Sequence, residues 1–128
     1  MRIRLAPALA VALIAVGGCG AGGPKLFHNP HGTIGVDKGD EFTIAMVVNS
    51  GVGYDWQLVP FDLDPTKVDL LKTQTVYPSD NRAGESGERR YRFRATTVGR
   101  QVLVFQHFFR GKATDRRVLR VDVRPAGD

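Results

Sequence analysis

The chain has 128 residues with 15 glycines and 7 prolines and is 42% hydrophobic, enough for one small core and no second domain. Its formal charge is +5, but two of the arginines lie in residues 1–18 with no acid, so the remainder carries only +3. That balance is too mild to argue for nucleic acid, and a single cysteine excludes an intramolecular disulfide, so core packing alone must hold the fold.

The chain opens with the basic Met1-Arg2-Ile3-Arg4 and an apolar run from Leu5 to Val16, too short to span a bilayer. Val16-Gly17-Gly18-Cys19 then places small residues directly before the cysteine and resembles a bacterial lipobox. The resemblance implies a signal peptide over 1–18, cleavage before Cys19 and acylation of that residue. The protein would then be held extracytoplasmically on a bacterial envelope membrane without a spanning helix. Residues 19–32 are rich in Gly and Pro and read as the lipidated cysteine and a flexible tether, leaving 33–125 as the folded domain.

Within that domain, alternation of period two dominates, and no helix of ten or more residues is indicated. Strands are predicted near Thr33–Val36, over Glu41–Val48, over Tyr54–Leu58, weakly over Val68–Val76, then over Arg90–Ala95, Arg100–Phe108 and Val118–Val123. Phe42, Ile44, Met46 and Val48 share one strand face, as do Tyr54, Trp56 and Leu58. Seven short strands separated by Gly/Asp/Pro turns predict an all-β, immunoglobulin-like antiparallel sandwich.

Alternate connections of a sandwich gather at one end. The loops after the second, fourth and sixth predicted strands are Asn49–Gly53, Pro78–Gly87 and Phe108–Asp115. Three loops on one rim of a rigid scaffold form a recognition layout. The first is the most distinctive: Asn49-Ser50-Gly51-Val52-Gly53-Tyr54-Asp55-Trp56 is bare of large side chains at its centre and flanked by aromatics. Such a backbone can enter a narrow cleft, while Asn49 is suited to cap the turn with its own side chain and Trp56 to anchor it from the core.

On these residues the chain resembles the chagasin family, secreted inhibitors of papain-like cysteine peptidases, over about residues 39–123. The family's first loop reads Asn-Pro-Thr-Thr-Gly-aromatic-x-Trp. Here Asn49, Gly53, Tyr54 and Trp56 match in register, and Ser50-Gly51-Val52 replace Pro-Thr-Thr. Gly84-Glu85-Ser86-Gly87 stands where the family has its Gly-rich second loop, and Thr97 to Phe105 resembles the strand leading to the third. The third family loop carries Arg-Pro-Trp, whereas this chain has Phe108-Phe109-Arg110-Gly111.

The resemblance implies a reversible inhibitor and not an enzyme. Its three loops would occlude the peptidase cleft. By position, Gly51, Val52 and Gly53 would lie nearest the catalytic cysteine, Gly84 and Gly87 would let the second loop approach closely, and Phe108, Phe109 and Arg110 would grip the wall. A monomer with a papain-like peptidase as protein partner is expected. The altered first and third loops leave open a non-inhibitory binding module for another envelope protein.

Other constellations carry less. His28 and His31 flank a proline with no third ligand, so neither metal nor cofactor is expected. No nucleophile elbow, carboxylate pair or phosphate loop is present. Arg90, Arg92 and Arg94 on one strand face and Arg116, Arg117 and Arg120 near the last strand read as solvated faces.

Overall fold

The computed structural model describes residues 25–78 and 86–126. Cys19, Gly84 and the signal segment lie outside the described residues. Among the described residues eight strands form: β1 (Lys25–His28), β2 (Thr33–Asp37), β3 (Glu41–Val48), β4 (Tyr54–Leu58), β5 (Val68–Val76), β6 (Gly87–Ala95), β7 (Gly99–Phe109) and β8 (Lys112–Arg124). Among the described residues, one 3₁₀ turn, Pro60–Asp62, leads out of β4. The strands make two four-stranded sheets, ordered β1-β3-β6-β5 and β2-β8-β7-β4. No helix among the described residues is long and apolar enough to cross a membrane.

Pair orientation follows a parity rule. Each connection reverses the chain, so odd-numbered strands run one way and even-numbered strands the other. The pairs β3–β6, β5–β6, β4–β7 and β7–β8 differ by an odd number and are antiparallel. β1–β3 and β2–β8 differ by an even number and are parallel, which departs from the all-antiparallel expectation. The parity also sends the C-terminal ends of β3, β5 and β7 to one end of the sandwich.

The core sits between the sheets as the alternation requires. Phe42, Ile44, Met46 and Val48 of β3 are buried, facing Tyr91, Phe93 and Ala95 of β6 and Leu103, Phe105, Leu119, Val121 and Val123 of the other sheet. Phe42 stacks on Phe93 at 5.3 Å, and Tyr91 meets Phe105 edge-on at 5.4 Å. Removing a fully buried phenylalanine such as Phe42 costs about 3–5 kcal/mol by lost transfer energy and the cavity left behind.

Two elements differ from the sequence expectation. Lys25–His28, within the span read as tether, is a strand seated on β3. The Asn29 N–H donates to the Ala45 carbonyl at 2.8 Å, and His28 Nδ1 lies 2.7 Å from Glu88 Oε2. The last strand begins at Lys112, not Val118; Lys112–Arg116 are all exposed and show no alternation, but β7 supplies their hydrogen-bond ladder.

The arginines of β6 are paired. Arg92 and Arg94 both bond Glu41, and Arg90 bonds Glu88 at 3.0 Å. Arg117 is not on a solvated face: it lies opposite Phe105, half-buried, with its guanidinium 4.7 Å over the Trp56 ring.

Candidate functional site: the turns at one end of the sandwich

The first turn is a four-residue connection, Ser50 to Gly53, closed by reciprocal backbone bonds between Asn49 and Tyr54 at 2.7 and 2.9 Å. Its tip folds on itself: the Val52 N–H reaches the Asn49 carbonyl at 3.2 Å and the Gly53 N–H the Ser50 carbonyl at 3.3 Å. Asn49 Oδ1 accepts from the Gly51 N–H at 3.1 Å, the side-chain cap expected of asparagine at a turn. Gly53 has φ +75°, a conformation costly for any side chain. Val52, at the tip, is 45% exposed.

Behind the turn, the aromatics are fixed from several sides. Trp56 is buried and its carbonyl accepts from the Tyr91 hydroxyl at 3.0 Å, while the Leu58 N–H donates to the same hydroxyl at 3.3 Å. Tyr91 thereby caps part of the free edge of β4, and burial raises its phenol pKa despite the bond from Leu58. Tyr54 is half-buried, edge-on to His107 at 4.2 Å; His107 in turn lies 4.8 Å from Trp56. His107 Nδ1 is 2.6 Å from Thr114 Oγ1, which ties this aromatic group to the stem of the third turn.

The third turn is far shorter than the predicted Phe108–Asp115 loop. Only Arg110 and Gly111 lie between β7 and β8, with φ +52° and +82°. Two successive positive φ values match the twist of long hairpin strands. Phe108 and Phe109 are therefore strand residues. Phe109 is 42% exposed with the Arg110 guanidinium 5.2 Å from its ring, whereas Phe108 is half-buried and lines a cleft.

Of the second connection, Tyr77, Pro78, Ser86 and Gly87 are described. Ser86 is exposed. Gly87 is buried, and the close approach it permits is that of Tyr77: a Cβ there would stand 2.6 Å from Tyr77 Cδ1. Gly87 thus serves the packing inside the rim.

The first turn touches both neighbours. The Tyr77 hydroxyl donates to Ser50 Oγ at 3.0 Å, and the Arg110 N–H donates to the Gly53 carbonyl at 2.8 Å. Between the first turn, the third turn and Tyr77 lies a cleft of about 460 Å³ walled by Phe108, Tyr77 and Tyr54, with the Asp55–Arg89 ion pair (2.5 Å) in it. Tyr77, Arg89, His107 and Arg117 are absent from the sequence-derived site. Their roles depend on cross-sheet contacts, and only the Tyr77-Pro78 dipeptide, which favours an extended backbone at Tyr77, gave a local hint. No group of three or more His, Cys, Asp or Glu among the described residues could hold a metal.

Solved structures share this architecture. A cysteine protease inhibitor from Entamoeba histolytica, EhICP2, superposes with a TM-score of 0.62 at 15% identity, covering 80% of this chain and 96% of that one. Amebosin gives 0.55 at 20% identity over 80% of this chain and 100% of its own. PbICP-C, solved in complex with falcipain-2, gives 0.53 at 16% identity over 78% and 99%. At these identities the likeness establishes the fold alone. A search of curated proteins by sequence finds no match. A family model, chagasin family peptidase inhibitor I42, matches residues 35–123, which span β2 to β8 apart from the ends of the first and last. The chain belongs to the chagasin family, whose members are inhibitors and not enzymes.

Proposed function

We propose that the protein is a reversible inhibitor of papain-like cysteine peptidases that fills the active-site cleft with its three turns, held at an envelope membrane by lipid on Cys19. The observation that carries the reading is the join of the first turn to its neighbours through Ser50–Tyr77 and Gly53–Arg110 in a chain of this family. A peptidase-bound neighbour, PbICP-C with falcipain-2, adds support for the partner class.

The Gly51-Val52-Gly53 backbone enters nearest the nucleophile. It carries no bulky group except the exposed Val52, so backbone and catalytic residues approach closely. Because the turn is closed by the Asn49–Tyr54 bonds, little conformational freedom is lost on docking. Phe109 and Arg110 supply apolar and cationic contact at one wall, Ser86 and its neighbours at the other. Occlusion requires no covalent step.

Titrating residues 20–128 against papain and a cathepsin-like enzyme tests this; the expected result is competitive, reversible inhibition, and none at micromolar concentration rejects it for those targets. Cys19→Ser tests the anchor, with loss of the protein from the membrane fraction expected. One observation favours a second reading, a non-inhibitory binding module: the third turn presents only Arg110-Gly111 and no tryptophan, and tryptophan is a frequent hot spot worth ~2–4 kcal/mol. If papain inhibition appears only after Ser50→Pro and an Arg-Pro-Trp graft, that second reading holds.

A further inference from the structure

We infer that Tyr77 is a positioning residue for the first turn, and that its hydroxyl bond to Ser50 gives the glycine-rich tip the stiffness its own sequence lacks. The inference rests on the reading that this turn meets a peptidase. Two of the four residues from Ser50 to Gly53 are glycine, and the tip's internal bonds, at 3.2 and 3.3 Å, are at the long end of the useful range. No proline fixes the backbone within the turn. Besides the Asn49 Oδ1 cap on the Gly51 N–H, two bonds reach it from more distant elements among the described residues: Tyr77 to Ser50 at 3.0 Å and Arg110 to Gly53 at 2.8 Å.

The tyrosine is itself held. Pro78 restricts it to extended backbone, and its ring lies against the bare α-carbon of Gly87, where a Cβ would collide at 2.6 to 2.8 Å. Gly87 is paired with Val48, directly before the first turn. The second connection therefore buttresses the first through one ring, and the hydroxyl at the end of that ring sets where Ser50 can sit. A net hydrogen bond of this kind shifts a local equilibrium by about three- to tenfold. Affinity falls in proportion as the competent conformation becomes less populated.

The test uses residues 20–128, which contain both sheets and the whole described core. Amide hydrogen exchange at Val52 and Gly53, the urea midpoint, and Ki against papain are measured for wild type, Tyr77→Phe, Ser50→Ala and the double variant. Each single variant is expected to speed exchange at the tip by about three- to tenfold, the double no further, with the urea midpoint unmoved. Ki rises by the same factor. Unchanged exchange in Tyr77→Phe, or additive effects in the double, overturns the brace. Faster exchange with unchanged Ki overturns the positioning role. If wild type does not inhibit papain, exchange still decides the brace while the peptidase reading falls separately.

Discussion

Gly53→Ala probes the join between the first and third turns. At φ +75°, a side chain places its Cβ against the following carbonyl, a cost of about 1–2 kcal/mol. Space adds a second cost: the new Cβ would lie 3.1 Å from the Arg110 N, Cα and Cγ. The backbone atoms cannot swing away as a side chain can, so the two turns must part and weaken the Arg110–Gly53 bond, worth about 1 kcal/mol. The total is about 2–3 kcal/mol. Gly39→Ala is the control. Its φ is +94° but nothing lies within 4 Å of the added Cβ, so it carries the conformational cost alone. It lies in the β2–β3 turn, at the opposite end from the three turns. Urea unfolding at neutral pH gives both numbers, with equal m-values as the check that only stability changed. Gly53→Ala should be the more damaging by about 1 kcal/mol and should lose papain inhibition, while Gly39→Ala retains it. If the two alanines cost the same, the close approach of the turns is not what stabilises this end.

Three further outcomes are expected. Arg110→Gly relieves a positive φ of 52° and should raise stability by about 0.5–1 kcal/mol in urea unfolding, while weakening papain inhibition through loss of the cation beside Phe109. Arg117→Met keeps an apolar stem over Trp56 and removes a buried, unpartnered Nη1, so stability should change by less than about 1 kcal/mol in either direction; a loss above about 2 kcal/mol would show that the guanidinium is essential to the core.

The last expectation concerns acid. Arg92, then Arg94, holds Glu41 below its ordinary 4.5. At Glu88 burial opposes ionisation, but bonds from His28 and Arg90 outweigh it and also lower the pKa. Lowered folded values mean that the stability is present above the unfolded carboxylate range and is lost as pH falls through the folded values. The urea midpoint should therefore drop below pH 4.5, and Glu41→Gln should flatten that drop.

The sandwich was legible because burial and alternation coincide. Phe42, Ile44, Met46 and Val48 repeat every second residue, and all four are buried. Where that coincidence fails, so did legibility: Lys112–Arg117 has no alternation, and Lys25–His28 sits among glycines and prolines. The first turn announced itself through local chemistry, since Asn49, the two glycines and the aromatics act over a few residues. The short third turn did not, because Phe109 and Lys112 become strand only by pairing with each other and, for Phe109, with Tyr54.

By itself, the order of residues determined which faces turn inward, that the connections reverse the chain, and hence which ends share a rim. Those are short-range consequences of side-chain period and turn chemistry. Only the tertiary structure decided that Tyr77 reaches Ser50, that Gly53 supports Arg110, and that Arg117 lies over Trp56. The three join residues 27, 57 and 61 positions apart, and contacts of that kind are set by how two twisted sheets pack, which no local pattern encodes.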